Sequence, residues 1–243
     1  MSRVVYFFAL LVQFRVFSVG LLTQFYLANM YLGTSSELLG HKSEFLLGVW
    51  FPGIWYIADQ GPPFAISVNS IGIKHVMAEK NPFRKGVAFH YYLQQQEKLF
   101  FENTGILEKI GADLPYSIQE CYVNILEDLE FCNKPFVNEA KRLLNETLFE
   151  EFDVSTFSTS YNRADIITWY HTIFLSINTH PLEIPDNVSF ANTYKGLKIS
   201  LELSDKLIED AKQNLPKLAR DPEVTALIET YIKKMCNSKI ASF

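Results

Sequence analysis

The chain is poor in the residues from which metal and redox sites are built. It has three cysteines, Cys121, Cys132 and Cys236, and five histidines in 243 residues. The cysteines are odd in number and form no CxxC pair, which argues against a disulfide framework and against a cysteine-based zinc site. Buried thiols in a reducing compartment are the expectation. There is no P-loop, GxGxxG, GxSxG or HExxH. Positive charge is also scarce: 22 Lys and Arg stand against 27 Asp and Glu, a net charge of −5 and a pI near 5.6. A broad nucleic-acid surface is therefore not favoured, because such surfaces cluster Lys and Arg against phosphates, although a local basic groove stays open. No uninterrupted apolar run reaches the about 20 residues that span a bilayer, so no transmembrane anchor is expected. Two glycosylation sequons, at Asn145 and Asn187, are too short as motifs to carry weight.

What the chain does have is apolar and aromatic side chains. Hydrophobic residues make up 48%, with 20 Phe, 12 Tyr and 3 Trp, enough for a sizeable core. The length suits one large domain. The periodicity is nearly all helical. Residues 4–33 read as an apolar helical stretch, broken or bent near Ser18–Gly20. Ser43 is the expected cap of a helix through EFLLGVWF, which Pro52–Gly53 should end or kink. Residues 60–72 read as a loop, with a short strand possible at AISV, and His75 follows on a short helix. Pro82 sits at the first position of the next helix, which runs to Asn103–Gly105. Further helices are expected over Ser117–Phe131 (capping box Ser117 and Glu120), Pro135–Glu150, Arg163–Asn178, Val188–Asn214 and Pro222–Lys234. The expected fold is a single-domain, all-α multi-helix bundle over residues 20–237, with an apolar segment 1–19 and a tail 238–243.

The first residues carry several readings. Arg3 precedes VVYFFALLV, which resembles a short signal-peptide core, yet no A-x-A pattern follows and Arg15 interrupts the run. An atypical signal or anchor, a first core helix and a mis-assigned start compete, and a core or surface-associated helix is preferred. Cytoplasmic location is expected, with secretion or membrane-surface attachment through the apolar start as alternatives.

Among the histidines, His41, His75, His171 and His180 read as structural. His90 is the metal-ligand candidate, in FRKGVAFHYYLQQQEKLFF, one turn before Gln94. A carboxylate at that second position would place two ligands on one face, but an amide is a poor zinc ligand. Gly86, one turn before His90, allows a second helix or a ligand to come close. Asp59, Glu127, Asp128 and Glu130 are the acidic residues near apolar segments; Glu127 and Glu130 share a helix face, with a solvated face the expectation and a metal or acid/base pair the alternative. In YNRAD, Tyr161, Arg163 and Asp165 are possible cleft residues, but Asn162 as a helix cap explains the segment equally well.

Three segments occur in a known order: TQFYLANMYL from Thr23, EFLLGVWFPGIWYI from Glu44 and NPFRKGVAFHYYLQ from Asn81. Over residues 20–105 they resemble bacterial proteins related to zinc-dependent phospholipase C and the zinc-dependent single-strand nucleases. The resemblance implies an all-α bundle with a zinc cluster in a cleft, hydrolysing phosphodiesters. It also implies that Gln24 stands where the family has His, Gly53 where it has Asp, and Gln94 where it has Asp, while His90 is retained. One retained histidine cannot hold a multinuclear site. The chain is thus expected to be a relative with a degenerate metal site, with no zinc the preferred reading and zinc the alternative. The preferred role is non-catalytic, binding phospholipid or a protein partner, with Trp50, Trp55, Phe89 and Tyr92 filling or lining the former cleft. The alternative is an active metal-dependent phosphodiesterase with a reduced site around His90.

Overall fold

The computed structural model of the protein describes residues 20–56, 71–114, 116–149, 161–178 and 201–237. Among the described residues the regular structure is helical throughout, in agreement with the all-α expectation. The helices are α1 (Leu21–Thr34), α2 (Lys42–Trp50), α3 (Ile73–Ala78), α4 (Pro82–Thr104), α5 (Ile106–Gly111), α6 (Tyr116–Leu129), α7 (Phe136–Phe149), α8 (Arg163–Asn178), α9 (Leu201–Leu218) and α10 (Pro222–Asn237). Short 3-10 helices flank α2 at Ser36–His41 and Phe51–Tyr56. No described helix is long and apolar enough to cross a membrane. Segment 1–19, the AISV stretch, Asp59, His180 and the tail 238–243 lie outside the described residues.

The bundle is organised around the crossing of α2 and α4, its most extensive helix contact. A Cβ on Gly48 would lie 2.0 Å from the Phe83 carbonyl oxygen, and one on Gly86 2.1 Å from that of Phe45. Two glycines facing one another thus bring backbone against backbone, which no other residue pair permits. Around the crossing pack the rings of Tyr31, Phe45 and Phe89, with centroids 5.0–5.7 Å apart. Helix α1 is apolar on most of its surface and buries Leu21, Leu22, Phe25, Leu27, Ala28, Tyr31 and Leu32, as a central helix must. Phe25 stacks on Trp50 at 5.2 Å. Helix α10 closes the far end of α4 through the stack of Tyr231 on Phe100 at 4.6 Å.

Helix ends follow local chemistry in several places. Asn81 caps α4 by accepting from the Arg84 backbone N–H at 2.9 Å, and Gly105 ends it with φ 63°. Asn162 caps α8 through the Asp165 N–H, so YNRAD is a helix start. Asp221 caps α10. Two expected caps are overturned. Ser43 lies inside α2, because the preceding 3-10 turn runs directly into the helix and starts it at Lys42. Ser117 lies inside α6, which starts at Tyr116 and ends at Leu129, two residues short of the expected Phe131. Helix α9 runs to Leu218, past Asn214 and through Pro216, because its apolar face at Ala211 and Leu215 is buried. The three cysteines form no disulfide and are half-buried rather than buried. His171 is exposed, since its position on α8 points away from the face that buries Trp169 and Tyr170.

Candidate functional site

Two polar arrangements lie inside this apolar bundle, one at each end of a helix. The first is at the end of α2. A helix leaves its last four carbonyls without intrahelical partners. Here the chain continues as a 3-10 helix, but Pro52 has no N–H and cannot serve the Val49 carbonyl. His90 replaces it: its Nδ1 lies 2.9 Å from Val49 O, across 41 residues of sequence. Nδ1 therefore carries the hydrogen and donates. Trp169 Nε1 donates to Trp50 O at 2.8 Å, Tyr170 Oη to Leu47 O at 2.9 Å, and the Phe51 N–H to Gly48 and Leu47. All four terminal carbonyls of α2 are thus satisfied, three of them by side chains from α4 and α8. His90 is 7% exposed, and burial pushes its pKa down to about 4 against the opposing hydrogen bond to Val49, so the ring is neutral at physiological pH.

The second arrangement is at the start of α1. Gly20 precedes this helix and has no side chain to cap it. The cap comes from α6. Asp128 Oδ1 accepts from the N–H groups of Leu22 (3.0 Å) and Thr23 (3.1 Å) and from the Thr23 hydroxyl (3.3 Å). Glu127 Oε2 accepts from the Gly20 N–H at 3.1 Å. A helix N-terminus leaves its first N–H groups without intrahelical acceptors, and two adjacent carboxyl groups from another helix supply the oxygens. Glu127 is fully buried, and burial raises its carboxyl to about 8, with the Gly20 hydrogen bond pulling the other way and Asp128 adding to the rise. Burial likewise raises Asp128 to about 7, against its hydrogen bonds from the first turn of α1. The phenol of Tyr231, on α10, is held well above its usual range by burial and then by the charges of Glu127 and Glu97. Glu127 Oε1 and Tyr231 Oη are buried with no hydrogen-bond partner among the described residues. Gln24, Glu97 and Asn124 are buried as well.

The acidic residues of α6 are therefore not one solvated face. Glu127 is buried, Asp128 half-buried and Glu130 exposed. Glu127 follows Val123 by four residues and continues the stripe that packs α6 against α1, so burial follows from helical spacing. Sequence reasoning missed this role, and the signal for it was twofold: an acidic pair on an apolar stripe, and a central helix that opens on glycine.

The sequence-predicted site positions fare differently. His90 and Gln94 share α4, His90 buried and Gln94 half-buried with its Oε1 enclosed. Gln24 is buried in α1 at 1% exposure. At Gly53 a Cβ would lie 2.2 Å from the Trp169 indole, so the space an aspartate would need is filled by a ring. Trp50, Phe89 and Tyr92 are buried in the core, and the Trp55 side chain lies outside the described residues. Among the described residues no group of three or more His, Cys, Asp or Glu is placed to hold a metal ion. The residues at these positions do not fit a multinuclear zinc centre: two are amides, one is a glycine covered by tryptophan, and one imidazole is left. No protein-family model matches the chain, and neither a curated protein nor a solved structure gives a match.

Proposed function

We propose that the chain is a non-catalytic helical protein of phospholipase C-like descent, in which former metal-ligand positions serve packing and whose role is to bind a phospholipid or protein partner. The observation that carries this reading is the Trp169 indole seated over Gly53, where a Cβ would lie 2.2 Å from the ring. A ligand aspartate there would have to displace a buried tryptophan that also caps Trp50. Nothing in the remaining set supplies the converging His and Asp ligands that a zinc-bound hydroxide requires. Zinc content and phosphodiester hydrolysis test the reading. Purified protein supplemented with zinc should retain less than stoichiometric metal and hydrolyse neither a phosphodiester nor phosphatidylcholine. Stoichiometric zinc that disappears in His90→Ala would overturn it.

A second reading keeps one observation on its side. His90 donates Nδ1–H to a backbone carbonyl, which fixes the tautomer with Nε2 as the free base, and metal-ligating histidines are oriented in the same way. The zinc measurement on His90→Ala separates the two readings directly.

A further inference from the structure

We propose that α3 and the turn leading into α4 form a docking surface for an anionic phospholipid membrane, with Lys74, Lys80 and Arg84 at the headgroup phosphates and Met77 inserted between the headgroups. The proposal names a partner within the binding role given above and rests on that reading. Charge is unevenly placed along this chain. Residues 71–86 hold four of the 22 basic residues and one of the 27 acidic ones, a local net charge of +3 in a chain of −5. Three of the four, Lys74, Lys80 and Arg84, are exposed. The fourth, Lys85, is buried with its Nζ 3.7 Å from the Glu37 carboxylate, and so belongs to the fold. The one acid of the segment, Glu79, is half-buried and serves the turn, where its Oε1 accepts from the Asn81 N–H at 3.0 Å.

The fold presents these groups from a fixed base. Ile71, Val76 and Phe83 are buried in the core, and α3 packs on α4. His75 Nδ1 accepts from the Gly72 N–H at 3.1 Å and holds the first turn of α3. Val76 faces inward, while Lys74, Met77 and Ala78, three and four residues apart, share the outer side. Met77 is 45% exposed. A flexible thioether bordered by basic side chains suits a boundary where an apolar phase begins behind a layer of phosphates. The lysine ammonium attracts phosphate as a point charge and needs no paired geometry. Each Lys or Arg near an anionic bilayer strengthens binding about fivefold, and salt weakens the attraction. An acidic polypeptide would satisfy the charges but would offer Met77 no apolar phase.

The test sediments the full chain with phosphatidylcholine vesicles prepared with and without phosphatidylserine. The protein should favour the phosphatidylserine vesicles and leave them in high salt. Lys74→Gln with Lys80→Gln should lower that partitioning on the order of twentyfold. Met77→Ser should lower it several-fold at unchanged charge. All three positions are exposed, so the variants should keep the wild-type unfolding midpoint. Equal binding to both vesicles, or undiminished binding by the double variant, overturns this surface and leaves a phospholipid role standing. No binding to either vesicle overturns the surface and the phospholipid role together, and zinc content still tests the non-catalytic reading by itself. Tighter binding to polyglutamate than to the vesicles, lost in the same double variant, assigns the corner to an acidic protein and overturns the membrane.

Discussion

The α2–α4 crossing and the seat of α1 on α6 are both close approaches at glycine, but opposite kinds of chemistry lie across from that glycine. At the crossing, Gly48 and Gly86 face backbone atoms that cannot move without separating two helices. At the seat, Gly20 faces the end of an aspartate side chain as well as a carbonyl. The first contact is backbone on backbone, carries no ionisable group and is indifferent to pH. The second holds carboxylates out of water and is sensitive to both pH and charge. The crossing therefore serves as frame, and the seat is the part of the bundle that a change of protonation can tighten or loosen.

The sharpest way to break the frame is Gly86→Ala. Its Cβ would meet Phe45 O at 2.1 Å and the Val49 nitrogen at 2.9 Å. Neither atom is a flexible side-chain end, so the helices must part along the whole crossing. A loss of about 3 kcal/mol or more is expected, read as a lower urea midpoint. Gly48→Ala should cost a similar amount. The double variant should cost clearly less than the sum, because one separation relieves both collisions. Strict additivity would show that the glycines act independently.

His90→Ala comes next. It opens a cavity beside α2 and leaves the Val49 carbonyl buried without the donor that Pro52 cannot supply. A loss of about 2–4 kcal/mol follows from the two terms together. The measurement that identifies the cause is hydrogen exchange, which should speed up at the α2 end more than at the start of α1.

The seat should announce itself through pH. Glu127 and Asp128 have folded pKa values of about 8 and about 7, raised from 4.5 and 3.8 by burial. The folded state then holds protons that the unfolded state gives up. Stability is greatest below about pH 4 as far as these groups are concerned, and it declines as pH rises through 7 and 8. Glu127→Gln removes one ionisation and should flatten the upper part of that decline, gaining on the order of 2 kcal/mol over wild type by pH 9. Urea midpoints at pH 5, 7 and 9 measure it, and parallel profiles for the two proteins would contradict the burial of Glu127.

Much of the frame was legible in the sequence for local reasons. Pro82 after Asn81, Asn162 before Arg163 and Pro222 after Asp221 each mark a helix start with side-chain chemistry that works within one turn. Gly86 was readable as a point of close approach, although its partner Gly48 was not, because pairing two glycines 38 positions apart requires the fold. The site was less legible. His90 stood out through its spacing to Gln94, but its partner is a carbonyl 41 residues away, and nothing local shows that Pro52 leaves that carbonyl in need. Glu127 and Asp128 looked like charges on a solvated face, because charge suggests solvent until the helix that needs capping is known. Ser43 and Ser117 made the opposite error possible: good capping residues that the chain overrides by starting each helix earlier.

The smallest effect is expected where two donors share one acceptor. Leu47 O receives both the Tyr170 hydroxyl at 2.9 Å and the Phe51 N–H, so Tyr170→Phe leaves that carbonyl satisfied. The ring keeps its packing, and only one neutral hydrogen bond is lost, at about 0.5–1 kcal/mol. Trp50 O receives the Trp169 indole at 2.8 Å, and the deletion of that donor in Trp169→Phe also uncovers Gly53. Trp169→Phe should therefore cost at least about twice as much as Tyr170→Phe in the same urea titration. Equal costs would mean that the hydroxyl and the indole cap α2 in the same way, and that the cover over Gly53 contributes nothing to the fold.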